Sequence, residues 1–430
     1  MSSLLFKIKN RKGESIMMSQ DYKDRLFPIV PGLSKRFGTP FHIYDEMGIR
    51  QMCQRLKKAF EGIPFKEYFA VKACPNPAIL RIVRSEGFGF DCSSIAELIL
   101  ARMQGATEDD IMFTSNNTSR AEFEAALSES GCILNLDDIT MVSKVPGTFP
   151  HRICFRYNPG KRRTGNEIIG KPEEAKYGVT HEQIVEAYRL AMERGAKRFG
   201  LHTMVCSNER DYKYMVETVR GLLGVVKMVS KQLGIKFDFV NMGGGVGIPY
   251  HPDHKEVDIE KMAEEIKVLM FGFFSEVGYM PTLNMECGRC ITGPYGALVM
   301  KVINQKHTYK EFRGVDGCMS SLMRPAMYDA HHEINVLDSR GKPVEGRGFE
   351  VVDVVGSLCE NNDKFAHDRL LPRMEEGDYV VIEDTGAHGI AMGFNYNGRL
   401  RPAELLLQES ATVVQIARHE TPEDLFVRYM

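Results

Sequence analysis

Short apolar runs alternate with amphipathic helical patterns from about residue 40 to residue 290. The apolar runs, each a candidate strand, lie at residues 41–44, 68–71, 89–91, 111–113, 132–134, 153–156, 199–202, 237–240 and 283–286. Between them, apolar positions recur at the spacing of a helix with one buried face. Strands separated by helices indicate parallel βαβ units. About eight such units over ~250 residues predict a TIM-like (β/α)8 barrel spanning residues 40–290.

The pattern changes after residue 290. Segments rich in strand-forming residues at 295–303, 349–355 and 379–383 are separated by turn clusters, such as Asp-Ser-Arg-Gly at 338–341. This pattern of strand-forming segments and turns predicts an antiparallel β domain packed behind the barrel. The residues before 40 are too few for a domain of their own. We therefore expect residues 1–39 and 291–430 to form one β-rich domain.

Charge and composition exclude several classes of protein. Among 430 residues, 55 Lys and Arg stand against 57 Asp and Glu, and the formal charge of −2 excludes nucleic-acid binding by bulk charge. No apolar run approaches the ~20 residues that span a bilayer, and residues 1–7 lack the apolar core of a secretory signal. The ten cysteines stand in apolar stretches and indicate reduced thiols, without a disulfide framework or a metal site. We expect a cytoplasmic protein.

Lys72 directly follows the apolar run at 68–71. In a barrel of this kind the reactive groups sit at the carboxyl ends of the strands, so the amine is expected in the barrel mouth. Burial would lower its pKa and supply a neutral amine for Schiff-base chemistry. The alternative is a strand-end lysine that simply reaches water.

Two glycine-rich turns follow other strands. Residues 241–247 (NMGGGVG) let backbone N–H groups approach a phosphate, although a tight loop would explain them equally well. Residues 285–289 (MECGR) offer a carboxylate, a flexible backbone and a guanidinium. A lysine for an imine, two anion-binding turns and the carboxylate of Glu286 together indicate pyridoxal 5′-phosphate, with Glu286 keeping the pyridine nitrogen protonated.

Eight motifs in family order make the chain resemble the alanine-racemase-type (fold III) pyridoxal-phosphate decarboxylases, and within them the diaminopimelate decarboxylases. The motifs are YFAVKA (68–73), FDCSS (90–94), GGGVG (243–247), ECGR (286–289), VDG (315–317), LMRPAMY (322–328), CENND (359–363) and DTGA (384–387). They extend over nearly the whole chain. The resemblance implies a decarboxylase of a small-molecule amino acid that uses pyridoxal 5′-phosphate.

The resemblance also implies roles for single residues. Lys72 matches the Schiff-base lysine, Asp91 a carboxylate beside it, and Glu286 the pyridinium partner. The positions where the family grips the cofactor phosphate or the substrate are matched by Gly244, Gly245, Gly288 and Arg289.

Other matches concern the far side of the site. Arg324, Tyr328 and Glu360 match positions that bind the distal end of the substrate. Cys359 matches the cysteine that protonates the carbanion, and in the family it comes from the other subunit. The resemblance therefore implies a homodimer with shared active sites.

The chain departs from the family pattern at several positions. Met204 stands where a histidine usually stacks on the cofactor ring, and would replace it with a thioether contact. Ser207 keeps the phosphate-binding hydroxyl, and His388 replaces a tyrosine on the phosphate side. His202 is either part of the site or a core histidine with its own hydrogen bond. Cys287, where proline is usual, is expected to be a neutral packing change.

These matches predict decarboxylation of meso-diaminopimelate to L-lysine and CO2, a step of lysine biosynthesis. A guanidinium in a closed site favours a carboxylate, which makes Arg324 the residue that selects a substrate with a distal carboxylate. Alternatively, Arg324 pairs with a protein acid such as Glu360. Met204 and His388 leave open a decarboxylase of another diamino acid, such as D-lysine or D-ornithine. A non-catalytic cofactor-binding relative is a further alternative.

Overall fold

Two nine-stranded sheets and the helices packed on them make up the computed structural model, which describes residues 17–128, 131–165 and 170–429. The strands are β1 Phe41–Asp45, β2 Phe65–Ala70, β3 Gly89–Cys92, β4 Ile111–Phe113, β5 Ile133–Leu136, β6 Arg152–Asn158, β7 Val179–Thr180, β8 Arg198–His202, β9 Phe239–Asn241, β10 Thr282–Met285, β11 Gly296–His307, β12 Glu311–Val315, β13 Ile334–Leu337, β14 Phe349–Val355, β15 Lys364–Pro372, β16 Tyr379–Ile382, β17 Ala403–Leu407 and β18 Val413–Ala417. The α-helices are α1 Gln20–Leu26, α2 Val30–Phe37, α3 Glu46–Ala59, α4 Pro77–Ser85, α5 Ile95–Met103, α6 Arg120–Leu127, α7 Met141–Lys144, α8 Ile184–Glu193, α9 Tyr212–Leu233, α10 Ile259–Val277, α11 Arg289–Thr292, α12 Arg324–Tyr328 and α13 Pro422–Phe426.

Eight parallel strands close into a barrel. Their order is β5-β4-β3-β2-β10-β9-β8-β6, and pairing between β5 and β6 closes the ring, with the two-residue β7 attached to β6 outside it. Its strands are nearly continuous apolar runs because helices cover the outside of the ring while side chains fill the inside. The predicted (β/α)8 fold is confirmed.

Local signals define the helices around the barrel. Helix α9 begins after Asp211, whose side chain accepts the N–H of Lys213, and it ends at Gly234 with φ of 69°. Helix α10 begins after Asp258 and ends at Gly278 with φ of 75°. Acidic caps satisfy free N–H groups at helix starts, and glycine adopts the left-handed conformation at helix ends without steric cost. Within the described ranges, no helix is long and apolar enough to cross a membrane.

The second sheet contains β1, which the alternation along the sequence had grouped with the barrel. Strand β1 pairs antiparallel with β11 and parallel with β17. The sheet is therefore mixed, and β12 and β14 form a second parallel pair. The sequence did not reveal this membership because β1 is buried along its whole length, as a barrel strand would be.

The helices before residue 40 pack on this second sheet. Tyr22 and Leu26 of α1 and Val30 of α2 share an apolar cluster with β1, and the Tyr22 hydroxyl donates to the carbonyl of Ile43 over 2.9 Å. Arg25 forms an ion pair of 2.6 Å with Asp45 at the end of β1. The segment was expected to join the β-rich domain; residues 1–16 lie outside the described residues.

Candidate active site

Lys72 lies at the carboxyl end of β2, in a single 3-10 turn spanning Val71–Ala73. Its Nζ is 3.3 Å from Oδ2 of Asp91, at the end of the neighbouring β3, and half of its side chain (52%) is exposed. The negative charge of Asp91 raises the pKa of Lys72, against the effect of desolvation, and Glu286 adds to the rise. The expectation that burial would supply a neutral amine is wrong, because two carboxylates outweigh desolvation.

Asp91 is almost completely buried. Burial, and then the charge of Glu286, raise its pKa to about 7, although Lys72 opposes the rise. Its second oxygen, Oδ1, has no hydrogen-bond partner among the described residues. A buried oxygen without a partner next to a reactive amine leaves an acceptor available to a bound molecule.

Glu286 follows β10 and is held by two donors. Asn241 Nδ2 donates to Oε1 over 2.7 Å, and His202 Nε2 donates to Oε2 over 3.1 Å. Although burial alone would raise the pKa of Glu286, His202, Lys72 and the Asn241 hydrogen bond lower it. Glu286 is thus a buried carboxylate kept ionised, as a partner for a protonated ring nitrogen must be.

The glycine-rich turn after β9 is tied to Glu286. Asn241 Oδ1 accepts the N–H of Gly243, and Glu286 N–H donates to the Gly243 carbonyl, both over 2.9 Å. A Cβ on Gly244 would lie 2.2 Å from the Glu286 carbonyl, and one on Gly245, where φ is 100°, would lie 2.6 Å from the Cys206 carbonyl. Only glycine fits these positions, so the turn exposes backbone instead of side chains.

Gly288 brings the end of β10 against the Lys72 turn. A Cβ at Gly288 would lie 2.5 Å from Ala73 Cβ. The backbone carbonyl of the preceding residue, Cys287, accepts the N–H of Ala70. The backbone N–H of Cys287 donates to the Glu67 carboxylate. These contacts fix the backbone between the predicted carboxylate and the predicted guanidinium.

Two guanidinium groups converge on Tyr250. Arg289 donates to the Tyr250 hydroxyl over 2.6 Å, and the Arg324 guanidinium lies 4.1 Å from the centre of the Tyr250 ring. Arg324 also donates to Nε2 of His332 over 2.7 Å. Desolvation, with some repulsion from Arg289, lowers the pKa of Arg324. Among the described residues no carboxylate forms an ion pair with either arginine, so the two present positive charge to an anion.

Glu360 does not neutralise Arg324 within one chain. Its side chain is exposed and accepts the backbone N–H of Asn362 over 3.1 Å. The alternative that Arg324 is paired with this acid therefore finds no support in the described contacts.

His388 lies on the other side of the Lys72 turn. The backbone N–H of His388 donates to the Ala73 carbonyl over 2.8 Å. The φ of His388 is 56°, which lies in the left-handed region. Desolvation, and then Arg289 and Arg324, hold its pKa well below the usual value. His388 is a neutral imidazole beside two cations, able to donate one hydrogen bond to an anion.

Met204 and Ser207 lie in the loop after β8. The N–H of Gly244 points at the Met204 sulfur, 3.3 Å away, and the Met204 carbonyl accepts from Arg156. Met204 therefore contacts the glycine-rich turn, and Ser207 follows it in the same loop, half-buried.

Three other predicted residues, Tyr328, Cys359 and Glu360, are exposed in the single chain. Cys359 is exposed on the loop after β14, where its N–H donates to Asn397 over 2.7 Å. Tyr328 ends α12 with about half of its surface exposed. Among the described contacts, none joins Cys359 to Lys72.

Sequence reasoning missed several residues of the site. Asn135, whose Nδ2 lies 3.0 Å from Nδ1 of His202, was not singled out. Asn241 and Tyr250 were not singled out either, although Asn241 follows an apolar run as Lys72 does. His202 had been left open between the site and the core. The Cys-x-x-Cys spacing of Cys287 and Cys290 was also overlooked; both thiols are buried and unbridged.

The donor set fits pyridoxal 5′-phosphate. It offers an amine beside a carboxylate with an unused oxygen, a second carboxylate held ionised, backbone turns that only glycine can form, and two arginines that have no acid partner within the described part of the chain. Imine formation, ring-nitrogen binding and phosphate binding each find a group of suitable chemistry.

Comparisons with known proteins agree with this assignment. A sequence model of the family described as "Pyridoxal-dependent decarboxylase, pyridoxal binding domain" matches residues 46–293. Protein TabA of Pseudomonas amygdali pv. tabaci is 44% identical over 407 residues, which cover 95% of each chain. Diaminopimelate decarboxylase of Methanothermobacter thermautotrophicus is 37% identical over 400 residues, 91% of this chain and 92% of that one. The crystal structure of M. jannaschii diaminopimelate decarboxylase with L-lysine is 31% identical, with a TM-score of 0.83 over 93% of this chain and 94% of that one.

Proposed function

We propose a substrate for this chain from the premise that it belongs to the pyridoxal-dependent decarboxylase family and is a pyridoxal-phosphate-dependent amino-acid decarboxylase. The substrate is meso-diaminopimelate, which loses CO2 to give L-lysine. The diaminopimelate decarboxylases among the relatives support this choice, and the similar M. jannaschii structure was determined with L-lysine.

Arg324 carries the proposal. It is 5% exposed, contacts a histidine and a tyrosine ring, and has no carboxylate partner among the described residues. A buried unpaired charge is costly, so a site that retains one favours a ligand that neutralises it. meso-Diaminopimelate carries a distal carboxylate, whereas lysine and ornithine do not.

Side chains of the barrel would hold the cofactor and guide the reaction. When bound, pyridoxal 5′-phosphate supplies an electron sink for the bond that breaks. Lys72 would bind the cofactor, with Asp91 beside its amine, and Glu286 would face the ring nitrogen. The phosphate side would be formed by Gly244, Gly245, Ser207, Gly288 and His388, with Met204 against the ring.

The second domain would complete the site of a partner subunit. Cys359 and Glu360 are exposed on one loop, and no described contact joins either of them to Lys72 of their own chain. In a homodimer, that loop of one subunit would enter the barrel mouth of the other, where Cys359 would deliver a proton to the substrate carbon. Residues 40–290 would bind the cofactor, and residues 1–39 and 291–430 would form the completing domain.

A decarboxylase of D-lysine or D-ornithine is the alternative. Met204 and His388 depart from the diaminopimelate pattern, and a relative at 44% identity carries a different name, protein TabA. A non-catalytic relative is less well supported because Lys72, Glu286 and Cys359 are all present.

One assay tests the proposal. CO2 release is measured with meso-diaminopimelate and with both enantiomers of lysine and ornithine. The highest kcat/KM is expected with meso-diaminopimelate. A higher value with D-lysine or D-ornithine would replace the proposed substrate. A cofactor absorption band that shifts with substrate but yields no CO2 would support the non-catalytic relative.

A further inference from the structure

His202 is fully buried, and both of its ring nitrogens are engaged by other parts of the barrel. Nε2 lies 3.1 Å from Oε2 of Glu286, and Nδ1 lies 3.0 Å from Nδ2 of Asn135. The residues His202 and Asn135 are 1% and 2% exposed. Asn135 comes from β5, His202 from β8, and Glu286 follows β10, so the chain of contacts crosses the carboxyl end of the barrel.

The polar neighbours of His202 determine where its proton lies. The Asn135 amide donates to Nδ1 and also to the Thr114 hydroxyl, each over 3.0 Å. A ring nitrogen that accepts a hydrogen bond carries no proton, so a ring proton is on Nε2, directed at Glu286. Asn135 thereby selects the tautomer that donates to the carboxylate.

The opposite side of Glu286 is fixed by the partner strand. Asn241 is the register partner of His202 across β8 and β9, and it donates to the other carboxylate oxygen. With both oxygens held, the carboxylate plane has one orientation. The remaining lone pairs are free to meet a ring nitrogen.

Several other ionisable groups face Glu286 from the surrounding strands. They are Glu67 and Tyr68 on β2, Lys72 after it, Asp91 on β3 and Cys154 on β6. Glu67 and Asp91 are carboxyl groups that disfavour a further negative charge, and Lys72 is a cation that favours it. The groups around His202 therefore act in opposite directions on the ionisation of Glu286.

We propose that His202 is a positioning residue that keeps Glu286 ionised and oriented for the ring nitrogen of the cofactor, and that Asn135 sets its tautomer. This inference rests on the proposed role of Glu286. Without the His202 donor, the carboxyl group would lose a charge-assisted hydrogen bond in a buried site and would take up a proton at a higher pH. A protonated Glu286 would not stabilise a pyridinium.

The test measures binding of pyridoxal 5′-phosphate to the apoenzyme by absorbance titration from about pH 6 to pH 9. His202→Leu is expected to weaken binding roughly 10- to 100-fold at the low end of this range. Binding should recover as the pH rises and Glu286 ionises. His202→Gln, which can still donate, should restore most of the affinity.

His42→Leu is the matched control. His42 is as buried as His202, but it contacts the Ser321 carbonyl at 2.9 Å in the second sheet. The His42→Leu substitution should leave the affinity for pyridoxal 5′-phosphate, and the pH dependence of that affinity, unchanged. Asn135→Leu is a second variant, which should shift the pH dependence in the same direction as His202→Leu by a smaller amount.

The variant Glu286→Gln distinguishes a wrong role for Glu286 from a wrong role for His202. If this variant binds the cofactor as tightly as wild type, the proposed role of Glu286 is wrong. If it weakens binding while His202→Leu does not, only the role of His202 is wrong. A loss in His202→Leu that is equal at every pH and is not rescued by glutamine would also overturn it. Combining both substitutions should add little to Glu286→Gln alone, because the pair acts through one contact.

Discussion

Replacing Arg324 with alanine should damage turnover of meso-diaminopimelate far more than turnover of a diamino acid without a distal carboxylate. The guanidinium is buried, donates to His332 and has no acid partner among the described residues. Its positive charge is therefore available to the substrate. Losing a desolvated pair with a carboxylate costs about 2–5 kcal/mol, which is roughly 30-fold to several thousand-fold in kcat/KM.

The fold should tolerate this substitution. Alanine removes a cation–π contact with Tyr250, worth about 0.5–2 kcal/mol, and one hydrogen bond worth about 1 kcal/mol. It also removes a buried charge without a carboxylate partner, which offsets part of that loss. We expect the melting temperature to stay within about 5 °C of wild type. Arg324→Lys should lose an intermediate factor, because lysine keeps the charge but not the planar fork.

The assay is kcat/KM for meso-diaminopimelate and for D-lysine in each variant. Arg369→Ala is the matched control, since Arg369 donates to the His332 carbonyl over 3.2 Å but is ion-paired with Glu333. It should affect both substrates equally. Equal losses on both substrates in Arg324→Ala would refute the reasoning. Arg324 would then support a common step, and the D-lysine or D-ornithine alternative would move ahead.

Three further predictions concern the rest of the site. Borohydride reduction of the holoenzyme followed by peptide mapping should place the pyridoxyl group on Lys72; a label on another lysine would contradict the assignment. Mixing inactive Lys72→Ala and Cys359→Ala subunits should restore part of the activity, because hybrid dimers contain one intact site; no recovery despite proven subunit exchange would argue against shared sites. Because burial raises the pKa of Asp91 to about 7, against ~3.9 in the unfolded chain, the native apoenzyme holds a proton that the unfolded chain has released. The free energy of unfolding should therefore fall by up to about 1.4 kcal/mol per pH unit from about pH 4 to pH 7 and then level off. Urea unfolding of Asp91→Asn should not show this decline.

The barrel and part of the candidate site could be predicted from local sequence, whereas the other site residues came from the resemblance to a known family. Apolar runs alternating with helical patterns predict parallel strands, and in a barrel the residues after those strands meet at one end. Lys72 and Glu286 were found in this way, Asp91 was found through the resemblance to a known family, and the structure brings the three together. A strand-end position is a local property, so one sequence reveals it.

Residues that act through a distant partner were harder to identify. The sequence left His202 open between the site and the core because Glu286, its partner, is 84 positions away. Tyr250 gave no signal because its importance comes from two arginines on other elements. The predicted neutral Lys72 was wrong for the same reason, since its pKa depends on carboxylates that lie on other strands.

The sequence by itself determined which segments form strands and helices in this chain, and which reactive side chains follow the strands. Hydrophobic periodicity and turn residues act over a few positions, so they can be recognised in a short stretch of sequence. The tertiary structure alone decided that β1 joins the second sheet, that Arg324 has no acid partner among the described residues, and that His202 supports Glu286. Strand pairing, burial and the balance of charges depend on groups far apart in the chain, and these meet only when the chain has folded.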